Sequence, residues 1–340
     1  MNPITQKRYA DYIDNRKQKY SVNDTSMFNV PEAFILDEFA RIKQTDEFLS
    51  KINIVSVESQ SGFASGLGTG LLIAAKTDTN HNTRIPRTLK PVSQMNYLCH
   101  QVNFDTALPF ETIDSLALRA DFQGALDAEL QKLANLDLIR LGFFGETIEP
   151  DSDPVNCPNG EDVAKGWIQA LRSSRPDSIL KGASGTIKVG KGGDYETVNA
   201  LVSAVKKKIA PLYRNVNDLV VLLGSDFVEH DQANFFQRQI DPNKSGSQIE
   251  LRQLEKSYAA LPAFMPSCFP ARGVMVTSLN NLSIYFWMKG VRKNFLKKND
   301  GLNRMENFES ACIDYVVERL DKAAAVEFKE VQMKEGDMWQ

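Results

Sequence analysis

Four glycines, Gly62, Gly66, Gly68 and Gly70, fall within the stretch SGFASGLGTGLL (61–72). Glycine loops of this density are where enzymes hold phosphates. A dinucleotide fingerprint, G-x-G-x-x-G/A, counted from Gly66 and Gly68 meets Leu71 at its third position. A Walker loop ends in Gly-Lys-Ser or Gly-Lys-Thr, and no lysine follows these glycines in register. LLIAAKTDTN then runs into turn residues instead of a helix. The glycines read better as a bending arm, where positive φ or close backbone approach is needed.

A second stretch, KVGKGGDYETV (188–198), sets Gly190, Gly192 and Gly193 around Lys191 ahead of a helix. Its order lacks the span that wraps a phosphate, and no Ser or Thr follows the lysine. Asp194 is expected to cap the helix containing Val198 and Leu201. Of the three histidines, only His230 has acidic neighbours, Glu229 and Asp231, as on a solvated helix face. There is no G-x-S-x-G elbow, no H-E-x-x-H and no acidic cluster at metal spacing. Asp127 and Glu129 are too close in sequence to share a helix face. The residues therefore imply no catalysis, no cofactor and no metal.

Composition narrows the class further. A 340-residue chain that is 42% hydrophobic and 24% charged can bury a core of roughly two domains. Its net charge of −3 gives no overall basic field for a dedicated nucleic-acid binder. Two basic clusters stand out. The first twenty residues carry five Lys or Arg against two Asp; the other cluster is Lys289, Arg292, Lys293, Lys297 and Lys298. Both read as solvated faces or as contacts for an acidic partner. The opening residues lack the apolar core of a secretory signal, and no apolar run is long enough to span a bilayer. Four scattered cysteines fit reduced thiols.

The elements that position these residues follow from periodicity. The first thirty residues are expected to be weakly structured, with Tyr9, Tyr12 and Ile13 at helical spacing in a polar, basic surround and SVNDTSMFNVP (21–31) as a linker. PEAFILDEFARIK (31–43) reads as a helix and FLSKINIVSVES (48–59) as a strand. Residues 62–98 read as an extended β-hairpin arm that ends in the strand-like YLCHQVNFDTALPF (97–110). Ile113, Leu116, Phe122, Leu126, Leu130 and Leu133 keep steps of mostly three or four, which predicts one spine helix from Phe110 to Phe143. At about 30 residues it would be about 45 Å long. A Pro- and Asp-rich linker (145–160) then leads into an α/β region reaching roughly Ser278. That region holds two amphipathic helices, one on Val163, Trp167 and Leu171 and one from Val198 to Ile209, and the apolar strand DLVVLLG (218–224). The tail, 282–332, reads as β-sheet with a hairpin turn at Asn299-Asp300-Gly301.

This order resembles the major capsid proteins of tailed bacteriophages, specifically the P2-like myophage group. INIVSV (52–57), QVNFD (101–105), VGKGGDY (189–195), DLVVLLG (218–224), LNNLSIYFW (279–287) and RMENFESACIDYVVE (304–318) are similar to that group's strings in the same order. The resemblance implies an α+β fold, the tailed-phage and herpesvirus capsid fold. It divides the chain into an N-terminal arm (1–50), an extended loop (51–106), a peripheral domain (107–144 and 281–340) and an axial domain (145–280). It also implies a virion shell protein, assembled in the host cytoplasm around double-stranded DNA. Its partners would be further copies in hexamers and pentamers, a scaffolding protein carrying a maturation protease, and a portal at one vertex, with no membrane. A cellular nanocompartment shell of the same fold, and a nucleotide-dependent enzyme using a glycine loop, are the alternatives.

Overall fold

The computed structural model describes residues 1–23, 26–67, 74–86, 91–119, 121–182, 184–230, 257–335 and 338–339. The first twenty residues, expected to be weakly structured, form helix α1 (Pro3–Tyr20). Asn2 caps it by accepting the Thr5 N–H at 2.8 Å, and Ser21 ends it in the left-handed region. Its sequence is too polar to announce a buried face, yet Tyr12, Ile13 and Tyr20 are buried because other helices cover them. Helix α2 (Glu32–Thr45) starts after Pro31, as its spacing predicts. The expected strand from 48 begins late. Asp46 accepts the Leu49 N–H at 2.9 Å and nucleates the short helix α3 (Glu47–Lys51) before strand Asn53–Val57.

The expected single spine helix is two helices, α4 (Phe110–Leu116) and α5 (Phe122–Phe144). The amides of Ala117, Leu118 and Arg119 close back on the last turn of α4. Asp121 then starts a new helix by accepting the Gly124 N–H at 3.2 Å. Apolar spacing runs across this break and hides it. Helix α5, 23 residues, is about 35 Å long. Helix α6 is Trp167–Ser174 and helix α7 is Val198–Lys208. The cap of α7 is Thr197, not Asp194; the Asp194 carboxylate instead accepts the Lys188 N–H at 2.9 Å.

Two six-stranded sheets sandwich α5 and α6. In the first, Leu282–Trp287 runs antiparallel to Glu309–Val317 and parallel to Asn53–Val57, and His100–Asn103 also joins Glu309–Val317. Ile284, Phe286, Ile313 and Tyr315 face the helices, while Tyr285, Cys312 and Val316 face away with Cys99. In the second, DLVVLLG supplies the inner strand Val220–Leu223 between Leu261–Phe264 and Val274–Thr277. Val221, Leu223, Val274 and Val276 share a core with Leu201, Val202 and Val205 of α7. Leu222 and Met275, one residue out of phase, point to the core of Phe143 and Trp167. The Trp167 indole, fully buried, donates to the Ser283 carbonyl at 3.0 Å and so ties α6 to the first sheet.

The tail does not stay in one sheet. A 3₁₀ turn at Leu320–Lys322 redirects the chain after Val317. Ala324–Val326 then pairs with Val274–Thr277 and Ile179–Leu180, and Val331–Glu335 with Ile187–Val189. The small side chains of Ala323, Ala324 and Ala325 are fully buried between the two cores, where larger ones would not fit. The expected hairpin near Asn299 is present: Lys297–Asn299 pairs with Arg304–Asn307, and Asn303 takes the left-handed position.

Candidate assembly surfaces

The arm begins where Ser61–Leu67 pairs antiparallel with Pro91–Leu98. Its root is held at several points. The Tyr97 ring packs edge-on against Tyr285 at 4.9 Å, and the Leu98 N–H donates to the Asp314 carboxylate at 2.9 Å. The Trp287 indole donates to the Glu58 carbonyl at 3.0 Å. Burial pushes Asp314 up to about 6, against the pull of the Leu98 and Tyr315 amides and Lys165. Gly62 sits opposite Tyr97, and a Cβ there would lie 2.6 Å from the Tyr97 hydroxyl. Gly66 lies where the strand register shifts, between Ser65 and Leu67. Gly68 and Gly70 lie outside the described residues, as do Leu71, Leu72 and Ile73. Alternation sends Phe63 to the face opposite Tyr97, where it is 65% exposed, beside Leu98 at 48%.

The second glycine stretch is likewise a packing device. Gly190 and Gly192 have φ of 134° and 84°, and a Cβ on Gly193 would lie 2.6 Å from the Trp339 ring. The loop closes over a tryptophan near the chain's end, with Lys188 and Lys334 at 5.6 and 5.9 Å from its ring centre.

Among the spine residues, Ile113, Phe122 and Leu126 are buried, and Leu116 and Leu130 are half-buried. Leu133, expected in the core, is 46% exposed. The buried stripe of α5 passes instead through Asn135, two residues on, which sequence reasoning missed because it is polar. Its amide donates to the Ile42 carbonyl at 3.2 Å and the Thr45 hydroxyl at 2.6 Å, satisfying the end of α2.

Helix α1 is clamped by charge. Arg16 pairs with Asp127 of α5, which also accepts the Tyr12 hydroxyl at 3.2 Å. The Tyr20 hydroxyl and the Lys293 ammonium donate to the two oxygens of Glu38 at 2.7 and 2.8 Å. Burial alone would raise Glu38, but Lys293, the Tyr20 hydroxyl and Arg41 outweigh it and hold it at about 2. Burial would likewise lower Lys293, yet Glu309 at 3.3 Å and Glu38 raise it well above the usual lysine range. The basic cluster around Lys293 is thus partly consumed inside the chain: Lys293 is half-buried between Glu38 and Glu309, and Lys298 pairs with Asp300 at 2.6 Å. Among the described residues, no group of three or more His, Cys, Asp or Glu could hold a metal ion. No helix of the described residues is long and apolar enough to cross a membrane.

Residues 8–328 match the family described as "Phage major capsid protein, P2 family". The chain belongs to this family. It is 34% identical to a chain described as "Capsid proteins" of Escherichia phage P2 over 306 residues, which is 87% of this chain and 84% of that one. To the major capsid protein of Serratia phage KSP20 it is 26% identical over 343 residues, covering 96% and 97%. Among solved structures it is similar to a chain of the satellite phage P4 procapsid including size determination (Sid) protein, at 31% identity and TM-score 0.76, covering 98% and 99%. A chain in the capsid of an empty GTA particle, 14% identical with a TM-score of 0.50, shares the fold alone.

The P2-family capsid protein is therefore a structural component of the virion, α+β in fold, that forms the head shell. Membership sets this role over that of a cellular nanocompartment shell. In the P2-family subunit the features with no sequence signal were the α1 clamp and Asn135. The helical spacing of Tyr9, Tyr12 and Ile13 was the local sign of α1; the partners that clamp it, Asp127 and Glu38, lie in later helices and leave no local signal.

Proposed function

We propose that this subunit closes its shell as hexamers and pentamers through the hairpin arm, on a scaffolding protein that carries a maturation protease. The shell encloses double-stranded DNA, touches it without sequence preference, and opens at one vertex to a portal. No catalytic step or cofactor belongs to the chain itself. In this reading residues 1–50 are the N-terminal arm and 51–106 the extended loop. Residues 107–144 and 281–340 are peripheral and 145–280 axial, with Ala324–Val326 and Val331–Glu335 of the peripheral segment pairing with axial strands.

The observation that carries the reading is Phe63. It is 65% exposed on an arm whose other face is anchored by Tyr97 and Asp314, so its apolar surface has no cover within the described chain. A neighbouring copy supplies that cover. The P4 relative was solved with a size determination protein, which supports a scaffold-type partner here. The modest negative charge suits a wall that contains DNA without gripping it. The test joins Gly62 to Tyr97 by a short Gly-Ser turn, removing the arm. Co-expression with the scaffold and electron microscopy should show closed shells for the full chain and none for the armless one, whose thermal unfolding stays unchanged. Normal shells from the armless chain would overturn the reading.

A further inference from the structure

Two surfaces on opposite sides of the charge balance each centre on exposed apolar atoms. The first is the corner of the small sheet formed by Ile187–Val189, Val331–Glu335 and Met338–Trp339. Trp339 is half-exposed there and Met338 is 67% exposed. Lys188 and Lys334 stand over the Trp339 ring, and the Lys334 ammonium reaches the Lys191 carbonyl at 3.3 Å. The second is the loop between α5 and α6. Residues 146–162 hold six acidic side chains and no basic one. At its tip Val155 is 85% exposed. The Val155 amide donates to Asp153 at 2.9 Å, and the Asp153 amide to the buried Asp162 at 2.6 Å, so the valine is held outward on a built loop.

Within the chain most of these charges are unspent. Glu146, at the loop's base, pairs with Arg172 and Lys329. Among the described residues, Glu149, Asp151 and Asp153 pair with no cation, and Lys188, Lys191 and Lys334 pair with no carboxylate. We infer that the two surfaces meet between copies: the acidic loop of one subunit seats Val155 against Met338 and Trp339 of the next, with Glu149 and Asp151 facing Lys188, Lys191 and Lys334. The occupant of the basic corner is a second copy of this chain. Three features favour it over nucleic acid. The corner presents an apolar centre, the acidic loop presents one of its own, and the rims carry opposite charge. Because the two surfaces are different patches, the contact is head-to-tail, and head-to-tail contacts generate rings when the rotation closes. The inference rests on the shell reading and names the contact within each ring.

The test reverses charge on each side. Lys188→Glu with Lys334→Glu, and separately Glu149→Lys with Asp151→Lys, are co-expressed with the scaffold. Asp153 is left intact because it builds the loop. Each pair should cut particle yield about tenfold or more, and combining all four should restore most of it, since like charges across an interface oppose contact and a double reversal removes the opposition. A second measurement does not depend on yield. Met338→Cys, with a short bismaleimide and the native Cys157 of the acidic loop, should give a ladder of covalent oligomers that Cys157→Ser abolishes. Only monomer bands, or reversals without effect on particles, overturn the inference while leaving the shell reading in place. Full particle yield with lost retention of a short DNA duplex in the Lys188→Glu, Lys334→Glu protein would also overturn it, assigning the corner to nucleic acid. Absence of particles from the wild-type chain would remove the shell reading and this inference together.

Discussion

The Leu98 amide donates to the Asp314 carboxylate at 2.9 Å, so the last residue of the arm hairpin is tied to the strand Glu309–Val317 within the first sheet. The arm is therefore a lever with a fixed root. Its exposed face is set by alternation from that root, one residue at a time.

Asp314 makes stability depend on pH. Its carboxyl is raised from 3.8 to about 6 by burial, so the folded state holds its proton more tightly than the unfolded chain does. Its favourable contribution is complete below pH 3.8 and is lost as pH rises through about 6. Asp314→Asn removes the buried charge and keeps one acceptor. It is expected to stabilise the subunit by about 1–2 kcal/mol at pH 7.5, and by nothing at pH 4. Urea denaturation of both proteins at the two pH values measures this; a loss of equal size at both would contradict it.

Glu38 works in the opposite sense. Its carboxyl lies at about 2 instead of 4.5, so its stabilisation is present above pH 4.5 and is lost as pH falls toward 2. Glu38→Gln leaves the half-buried Lys293 with Glu309 as its remaining carboxylate. The expected cost at pH 7 is about 3 kcal/mol, shrinking as the pH is lowered. A cost that stays constant down to pH 2.5 would show that the charge is not what matters at this position.

Gly62→Val tests the arm root. The new Cβ would lie 2.6 Å from the Tyr97 hydroxyl and push the ring off Tyr285. The expected loss of subunit stability is small, about 0.5–1.5 kcal/mol, while shell yield falls sharply. Calorimetry of the wild-type chain with ATP or NAD supplies the contrast, because micromolar affinity would return the glycines to a nucleotide role.

Asn135 and Leu133 separate core from surface on α5. Asn135→Ala leaves the Ile42 carbonyl without its donor at a buried helix end, and should cost about 1–3 kcal/mol. Leu133→Ser, on the exposed side, should change subunit stability by less than about 0.5 kcal/mol. Thermal unfolding of the two variants ranks them, and the reverse order would put the core stripe of α5 elsewhere.

Elements whose burial is written in their own residues could be read from the chain alone. The four apolar residues Val220–Leu223, the Val198–Val205 face of α7 and the start of α2 at Pro31 each carry their burial in their own periodicity. The paired strands of the arm and the lack of a phosphate-binding order in its glycines were also evident from residue type and spacing, as was the family resemblance. Tertiary structure decided the rest. Helix α1 is polar along most of its length, and it is buried only because Asp127 and Glu38, more than 100 and 15 residues away, answer Arg16 and Tyr20. Lys293 reads as one of a run of surface lysines until two carboxylates enclose it. The break between α4 and α5 rests on one cap at Asp121, which apolar spacing does not register. The return of Ala324–Val326 to the second sheet depends on a gap between two cores that no single segment contains. Hydrophobic periodicity records which side of an element is apolar. Which charges are paired, and which strands share a sheet, depend on contacts between distant segments, and those exist only once the chain has closed on itself.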